Sequence, residues 1–445
     1  MARPLALALT LDRSAAPPLG SQVAGQIREG VLAGTLPVGA RLPSTRALAR
    51  DLGVSRAVTE QAFDQLGAEG WIEGRHGSGT FVSAGATTRP RHRAPRPAAR
   101  EPGLVRLDTG TPWIDPRHRA AWRRAWRDVS AAPVPPSYDD PAGLRELRVE
   151  LATHLARTRG LRCDPDEILV TTGTIGGLNQ VLAALPPGAV ALEDPGYRAA
   201  AEAIRAAGRT IRDLPATEPV TDLAGTVAAY VTPAHQHPLG PVMSGSSRLS
   251  LIEAAGSAGA VVIEDDYDSE FRYDVAPVPA LAALDRDRMA YLGTTSKTVA
   301  PSMRLGWLVA PTALHRTILA RRAITHDVAA WPVQRAFLSL LRDGYVDQVV
   351  RSARRTYAAR AARVTEALRP GAEPILPVAG MYATVPIPQA RALRAHASAR
   401  AAGFDVPLLS DYCRTARATG LIIGFGGCTD DELDRALAAV VAGLS

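Results

Sequence analysis

Fifty of the 51 basic residues in this 445-residue chain are arginine, and the single lysine is Lys297. Arginine stays protonated and delocalised and is no nucleophile, whereas a partly desolvated lysine can lose its proton and condense with an aldehyde. Scarcity of lysine alone is a matter of composition, so the neighbourhood of Lys297 must decide. It lies in GTTSKTVAPSMRLGW, where Thr294 and Ser296 supply hydroxyl donors and Arg304 a planar fork suited to a phosphate dianion. The segment is not a P-loop, which needs glycines where Tyr291 and Ser296 stand. Nor is it the Ser-x-x-Lys of penicillin-recognising enzymes, since Thr294 replaces the serine.

A second cluster lies in AVVIEDDYDSEF, where an apolar run leads directly into Glu264, Asp265, Asp266, Tyr267 and Asp268. Period-two alternation sends Asp265 and Tyr267 to the same side of an extended chain. A solvated acidic turn and a site for a hard cation such as magnesium are two readings of these carboxylates. A third fits better. A buried carboxylate opposite a protonated pyridine nitrogen, with a phenol on the ring's phenolic oxygen, is how a protein tunes pyridoxal phosphate. Upstream, ILVTTGTIGGLNQVL reads as strand, glycine-rich turn and helix, so the amides of Gly173, Thr174 and Ile175 can cradle a phosphate at a helix N-terminus. Tyr197, after E-D-P-G, is a turn residue or is placed to stack on an aromatic ring.

The elements that must position these groups follow from periodicity. ILVTTG, AVALEDPGY, AAYVTPAHQHPLG, AVVIEDDYDSEF, MAYLGTTSKT and LGWLVAP are short apolar runs alternating with helical segments. That pattern predicts an α/β domain with a mostly parallel sheet whose ligands sit at the carboxyl ends of the strands, where every polar motif above falls. Long helical segments cover 312–369, followed by strands MYATVPI and GLIIGFGG and a final helix from Asp430. At the other end of the chain, Leu19–Ala33 reads as a helix stopped by Gly34. Ser44 caps a second helix through Leu52, Gly53 turns the chain, and Ser55 caps a third helix to about Glu69. WIEGRHGSGTFVS then forms two strand-like runs around a basic, glycine-rich turn. Helix-turn-helix patterns also occur in plain three-helix cores. As a DNA-binding head, this one places Arg56 against base edges or phosphates, with Arg46, Ser55, His76 and Gly77 within reach of the backbone or minor groove.

Composition narrows the classes. Hydrophobic residues make up 46% and charged residues 21%, which excludes wholesale disorder. The net charge of +7 is a weak argument for nucleic acid, because residues 84–104 alone hold five arginines and four prolines. That segment reads as a linker, either a soluble spacer or a phosphate-contacting arm. Cys163, Cys413 and Cys428 are far apart, which rules out a disulfide scaffold, gives no zinc spacing and suits a reducing cytoplasm; no metal is expected. No run of 18 apolar residues occurs, so no membrane span is expected, and MARPLALALTLDRS lacks a signal-peptide cleavage site. The expected domains are a head over 1–83, the linker over 84–104 and an effector domain over 105–445. The last divides into a large subdomain over about 130–310 and a small one over about 311–445.

The order helix, LPVGARLPS, helix, GVSR, helix, GSGTFV resembles the GntR-type winged helix over residues 17–83, which implies binding to operator DNA. YDDPAGLRELR, EDPGY, VTPAHQHPLG, EDDYDSEFRY and GTTSKTVAPSMRLGW, in that order, resemble the aminotransferases of fold type I. Joined, the two look like the MocR/GabR family of regulators, over nearly the whole chain except the linker. The resemblance implies an N-terminal winged helix-turn-helix and a pyridoxal-phosphate-dependent, aminotransferase-like domain. It assigns Lys297 to the Schiff base with the cofactor, Asp265 to the pyridine nitrogen, Tyr267 to the ring hydroxyl and Tyr197 to stacking. Thr294, Ser296 and Arg304 hold the phosphate. It also implies a homodimer, head-to-tail, reading paired half-sites.

Three departures qualify these expectations. Ala57 and Val58 stand in the third helix where the family usually offers polar residues. His237 precedes Pro238 where many aminotransferases have an asparagine that reaches the ring hydroxyl. In LIIGFGG, Ile422 occupies the place of the arginine that clamps a substrate carboxylate, which forfeits about 1.5–3 kcal/mol of recognition. The expectation is therefore a transcription regulator that senses pyridoxal phosphate and controls vitamin B6 genes, as in the PdxR-like branch. A regulator of the same build sensing an amino compound, and a working aminotransferase, are the alternatives. Ile422 disfavours turnover.

Overall fold

A computed structural model describes residues 7–75, 78–83, 103–138, 140–273 and 278–444. The chain forms two compact units, Met1–Arg100 and Glu101–Ser445. In the first, helices α1 (Leu19–Leu32), α2 (Thr45–Leu52) and α3 (Arg56–Ala68) precede an antiparallel hairpin of β1 (Ile72–Arg75) and β2 (Gly79–Val82). Val23, Ile27, Leu48, Leu66 and Val82 are buried together, and Leu7, Leu9 and Leu11 pack against this core. Ser44 Oγ accepts from the amide of Ala47 at 3.2 Å. Gly53 makes the tight turn at φ +61, a left-handed conformation that a side chain would strain. The buried Thr59 hydroxyl donates to Thr45 O at 2.9 Å and ties α3 to α2. Residues 84–102 of the expected linker, and the expected DNA-contacting residues His76 and Gly77, lie outside the described residues.

The second unit begins with β3 (Val105–Arg106), α4 (Arg119–Ala131), α5 (Arg145–Arg159) and β4 (Ile168–Thr171). Then follow α6 (Thr174–Ala184), β5 (Ala189–Asp194), α7 (Arg198–Ala206), β6 (Ile211–Pro215), β7 (Thr226–Val231), α8 (Gly245–Ala258), β8 (Val261–Asp266), β9 (Met289–Thr294) and β10 (Gly306–Val309). These strands make one seven-stranded sheet in the order β4-β10-β9-β8-β7-β5-β6, in which β10 runs antiparallel to both neighbours and the rest are parallel. Strand β6 carries no sequence signal of its own, because Arg212 and Asp213 interrupt its apolar pattern; as an edge strand it tolerates them. Apolar cores cover both faces of the sheet, one holding Leu151, Val170, Val262 and Trp307, the other Leu178, Leu192, Ile263 and Leu308.

Helices α9 (Thr312–Thr325) and α10 (Trp331–Arg342) add Leu314, Ile318 and Phe337 to these larger cores. The smaller core starts partway along α11 (Tyr345–Leu368). It gathers the antiparallel pair β11 (Tyr382–Pro386) and β13 (Gly420–Gly424) with α12 (Gln389–Ala401) and α13 (Asp430–Leu444), and takes in Leu107 from the start of the unit. Beside it, β12 (Phe404–Asp405) pairs in parallel with β3.

Alternation along β8 separates the acidic residues by task. Asp265 faces one way, while Glu264 accepts from the amides of Leu281 and Ala282, each at 2.8 Å, and Asp266 accepts from Tyr291 Oη at 2.6 Å. Asp266 also meets the buried guanidinium of Arg159 at 2.5 Å. Both carboxylates thus have structural partners, with Asp266 Oδ1 left unbonded, and no group of three or more His, Cys, Asp or Glu suited to a metal occurs among the described residues. Removing one partner of a buried ion pair strands the other charge. Arg159→Met is therefore expected to cost ~3–5 kcal/mol at neutral pH, read as a lower urea midpoint with an unchanged slope. The exposed pair of Arg157 with Asp347 is the control, and Arg157→Met should cost less than ~1 kcal/mol.

Candidate functional site

A cavity of about 170 Å³ lies at the carboxyl ends of the parallel strands. Thr174, Ile175, Tyr197, Asp265, Tyr267, Thr294, Ser296, Lys297 and Arg304 line it. Every site residue expected in this domain is thus brought to one place except Gly173, which sits one position further back as the N-cap of α6. A Cβ at Gly173 would lie 3.5 Å from the Arg304 guanidinium, and the residue has φ +87.

At one end of the cavity the chain builds an anion cradle. Arg304 adopts φ +50 and its Nη2 donates to Thr172 O at 3.1 Å, which holds the fork over the first turn of α6. Gly306 makes this approach possible: a Cβ there would lie 2.5 Å from Gly293 O and 2.9 Å from Gly173 Cα. Thr294 Oγ1 donates to Ser296 Oγ at 3.0 Å, which presents two hydroxyls beside the guanidinium. Fixed donors around a helix N-terminus are the arrangement that binds a phosphate.

At the opposite end stands Asp265. Tyr230 Oη bonds Oδ2, whereas Oδ1 is buried with no protein partner. Burial pushes the Asp265 carboxyl up to about 7, against the pull of the Tyr230 hydrogen bond and of Lys297 and with a push from Asp266. An unpaired buried acceptor is costly unless a donor, best a cationic N–H, completes it. Between the two ends, Lys297 Nζ donates to Gly110 O at 2.7 Å. Burial lowers its pKa, opposed by Asp268, Asp108 and Asp265, and so favours the neutral amine that condensation requires.

The aromatic residues complete the walls. Tyr197 is the N-cap of α7 and meets the ring of His237 edge-on at 5.4 Å, and burial pushes its phenol up to about 12. The His237 ring is buried with Nε2 unpartnered, and desolvation pushes it down to about 3, so it is a neutral imidazole. Tyr267 borders the cavity, but its hydroxyl already donates to His235 O at 2.9 Å and lies 2.8 Å from Tyr382 Oη.

Sequence reasoning missed Thr109, Gly110, Thr232 and Pro301, which also line the cavity. The first two belong to a turn in which Asp108 Oδ1 accepts from the amides of Gly110 and Thr111 at 2.8 and 2.9 Å. D-T-G-T-P is a turn signature, but nothing local joins Gly110 to a lysine 187 residues away. Ile422 lies fully buried on β13 opposite Thr384 and does not line the cavity, where Lys297 and Arg304 are the only lysine or arginine side chains among the described residues.

In the first unit, Arg46, Ser55 and Arg56 are exposed on α2 and at the start of α3. Ser55 occupies the N-cap position, but its side chain makes no capping bond and keeps its hydroxyl for another acceptor or donor. Arg56 Nε pairs with Glu60 Oε1 at 2.7 Å one turn on. Ala57 is exposed and Val58 half-buried.

Asp265 carries a pH signature. Its carboxyl rises from 3.8 to about 7 on folding, so the ligand-free fold keeps a proton that the unfolded chain releases. Stability from this group is full below about 3.8 and declines until about 7. Asp265→Asn removes the titration. The variant is expected to gain on the parent in urea midpoint as pH rises from 4 to 7, with no further gain above.

A model of the gntR family of bacterial regulatory proteins matches residues 19–82, and a model of class I and II aminotransferases matches residues 103–440. The pyridoxine biosynthesis transcriptional regulator PdxR of Corynebacterium glutamicum is 34% identical over 96% of both chains. MocR of Rhizobium meliloti, a regulatory protein named for rhizopine catabolism, is 32% identical over 79% of this chain and 77% of its own. Among solved structures, an archaeal alanine:glyoxylate aminotransferase superposes with a TM-score of 0.68 at 24% identity, covering 76% of this chain and 90% of the other. N-succinyldiaminopimelate aminotransferase from Mycobacterium tuberculosis gives 0.67 at 24% identity, covering 77% and 94%. These likenesses establish the fold of the second unit. No helix among the described residues is long and apolar enough to cross a membrane. The chain belongs to the MocR-type regulators of the GntR family, in which a DNA-binding winged helix-turn-helix precedes an aminotransferase-like domain of fold type I.

Proposed function

We propose that this regulator binds pyridoxal phosphate at Lys297 and responds to it, controlling genes of vitamin B6 metabolism from the cytoplasm as a homodimer on paired half-sites. One observation carries the reading: the chain's lone lysine is half-buried between an anion cradle and a carboxylate with one oxygen left unpaired. Arg304, Thr294, Ser296 and the amides of Gly173, Thr174 and Ile175 would hold the phosphate. Asp265 Oδ1 would accept from the pyridine N–H, Tyr197 would cover the ring, and Tyr267 would face its hydroxyl. When bound, the group supplies an aldehyde to the amine of Lys297 and an electron-withdrawing ring. The resident side chains do the rest: they orient the ring, exclude water and hold a proton at the pyridine nitrogen.

Pyridoxal phosphate itself is favoured as the signal over an amino acid. Arg304 is committed to the anion cradle, and Ile422 leaves no second guanidinium among the lining residues to take a substrate carboxylate. The same absence disfavours turnover as an aminotransferase. The 34% identity to a regulator named for pyridoxine biosynthesis supports the vitamin B6 assignment.

Titrating pyridoxal phosphate into the full chain on the DNA upstream of its own gene tests the reading. DNA affinity or footprint should change, a visible absorption band should appear, and both should vanish in Lys297→Ala. A band without any effect on DNA would overturn the assignment of the vitamin as the signal, and the retention of the band in Lys297→Ala would overturn the site. Independently, Arg56→Ala should weaken operator binding by about 1–3 kcal/mol without altering the absorption band, measured by fluorescence anisotropy at fixed salt.

A further inference from the structure

Beside the cavity lies a buried polar cluster that cofactor binding alone does not require. His235 Nδ1 is 2.7 Å from Asp268 Oδ2, and both side chains are buried. A carboxylate accepts there, so the ring proton sits on Nδ1 and is committed to Asp268. The Tyr267 hydroxyl, 3.2 Å from the same nitrogen, cannot donate to it and instead donates to the His235 carbonyl at 2.9 Å. A phenol has one proton. With that proton spent on His235 O, Tyr267 meets its other neighbour, Tyr382 Oη at 2.8 Å, as an acceptor.

Two elements of the smaller sheet's unit close on this cluster. Tyr382 is the first residue of β11, and its ring stacks on His235 at 5.0 Å. Gly380, just before it, has φ +64, and a Cβ there would lie 2.5 Å from Asp268 Oδ2 and 2.8 Å from His235 Cε1. The turn into β11 is therefore seated directly on the His235–Asp268 pair. Besides His235, the charged and titratable groups facing Tyr267 and Tyr382 are Asp268, Asp265, Tyr412, Glu193 and His237, whose ring meets theirs edge-on at 5.7 and 5.9 Å, and Lys297 faces Asp268 from the cavity side.

We propose that His235, fixed by Asp268, and Tyr382 are positioning residues for the Tyr267 hydroxyl, and that this network joins the ring-hydroxyl side of the cavity to β11. The inference rests on the cofactor reading above. Two hydrogen-bond arrangements are available. In one, Tyr267 donates to His235 O and accepts from Tyr382. In the other, the Tyr267 hydroxyl donates instead to an anionic oxygen in the cavity, the bond to His235 O is lost, and of the two protein bonds only that from Tyr382 remains. Filling the cavity thus changes what the first residue of β11 must do.

The test reads the pH midpoint of the pyridoxal phosphate absorption change in the full chain, with Tyr267→Phe as the reference variant. Tyr382→Phe and His235→Gln should each move the midpoint in the direction set by Tyr267→Phe, by at least about half a pH unit, or about threefold in proton affinity. In the Tyr267→Phe background Tyr382→Phe should move it no further, because the coupling runs through the missing hydroxyl. A merely structural role would lower thermal stability and leave the midpoint in place, and that result overturns the proposal. So does an equal shift in both backgrounds. If the parent chain shows no absorption change with pyridoxal phosphate, the cofactor reading fails first, and this inference falls with it.

Discussion

A carboxylate buried at the end of β8 with one oxygen unsatisfied is the constraint from which the second unit's design follows. Asp265 is held by Tyr230 on one side and by nothing on the other, in a fold that gives Glu264 two backbone amides and binds Asp266 Oδ2 to both Tyr291 and Arg159. Placing three acidic residues in a row at a strand end would normally be penalised. Alternation along the strand resolves it, sending two into structural partnerships and leaving one for a ligand. The parallel sheet then delivers Thr294, Ser296 and Lys297 from the adjacent strand β9 to the same rim.

The cradle at the far end depends on an irregularity in that sheet. Strand β10 runs against its neighbours, so the chain arriving from Lys297 must reverse before entering it, and Arg304 lies in that reversal at a positive φ. Glycine at 306 lets β10 and the start of α6 touch, and the guanidinium is thereby held over the helix N-terminus. Cradle and carboxylate are fixed by separate elements on opposite sides of the lysine, so a rigid planar ligand bearing an anion at one end and a cationic N–H at the other matches both at once.

Much of this was legible in the residues. Lys297 stood out because arginine replaced lysine everywhere else, and Asp265 and Tyr267 because apolar runs end where strands end. The three short helices and the hairpin of the first unit fall within a residue or two of their capping signals. The Asp108–Gly110 turn was not legible, because its ties to the site, such as the Gly110 carbonyl contact with Lys297, run between residues 187 positions apart. Edge strand β6 and the parallel contact of β3 with β12 were hidden for a related reason: short strands are stabilised by what lies beside them and leave little mark on local periodicity. Nor did the sequence show that α9 and α10 serve the larger cores, since amphipathic spacing identifies a helix face without naming its partner.

The single lysine has a practical corollary. Arginine does not react with reagents that acylate or reductively alkylate amines, and this chain has one side-chain amine, half-buried on the cavity wall. Apart from the chain terminus, amine chemistry on the native protein can report from one location only. Its rate becomes a direct measure of how open that wall is, and mass spectrometry of the intact chain needs no peptide map to say where the label went.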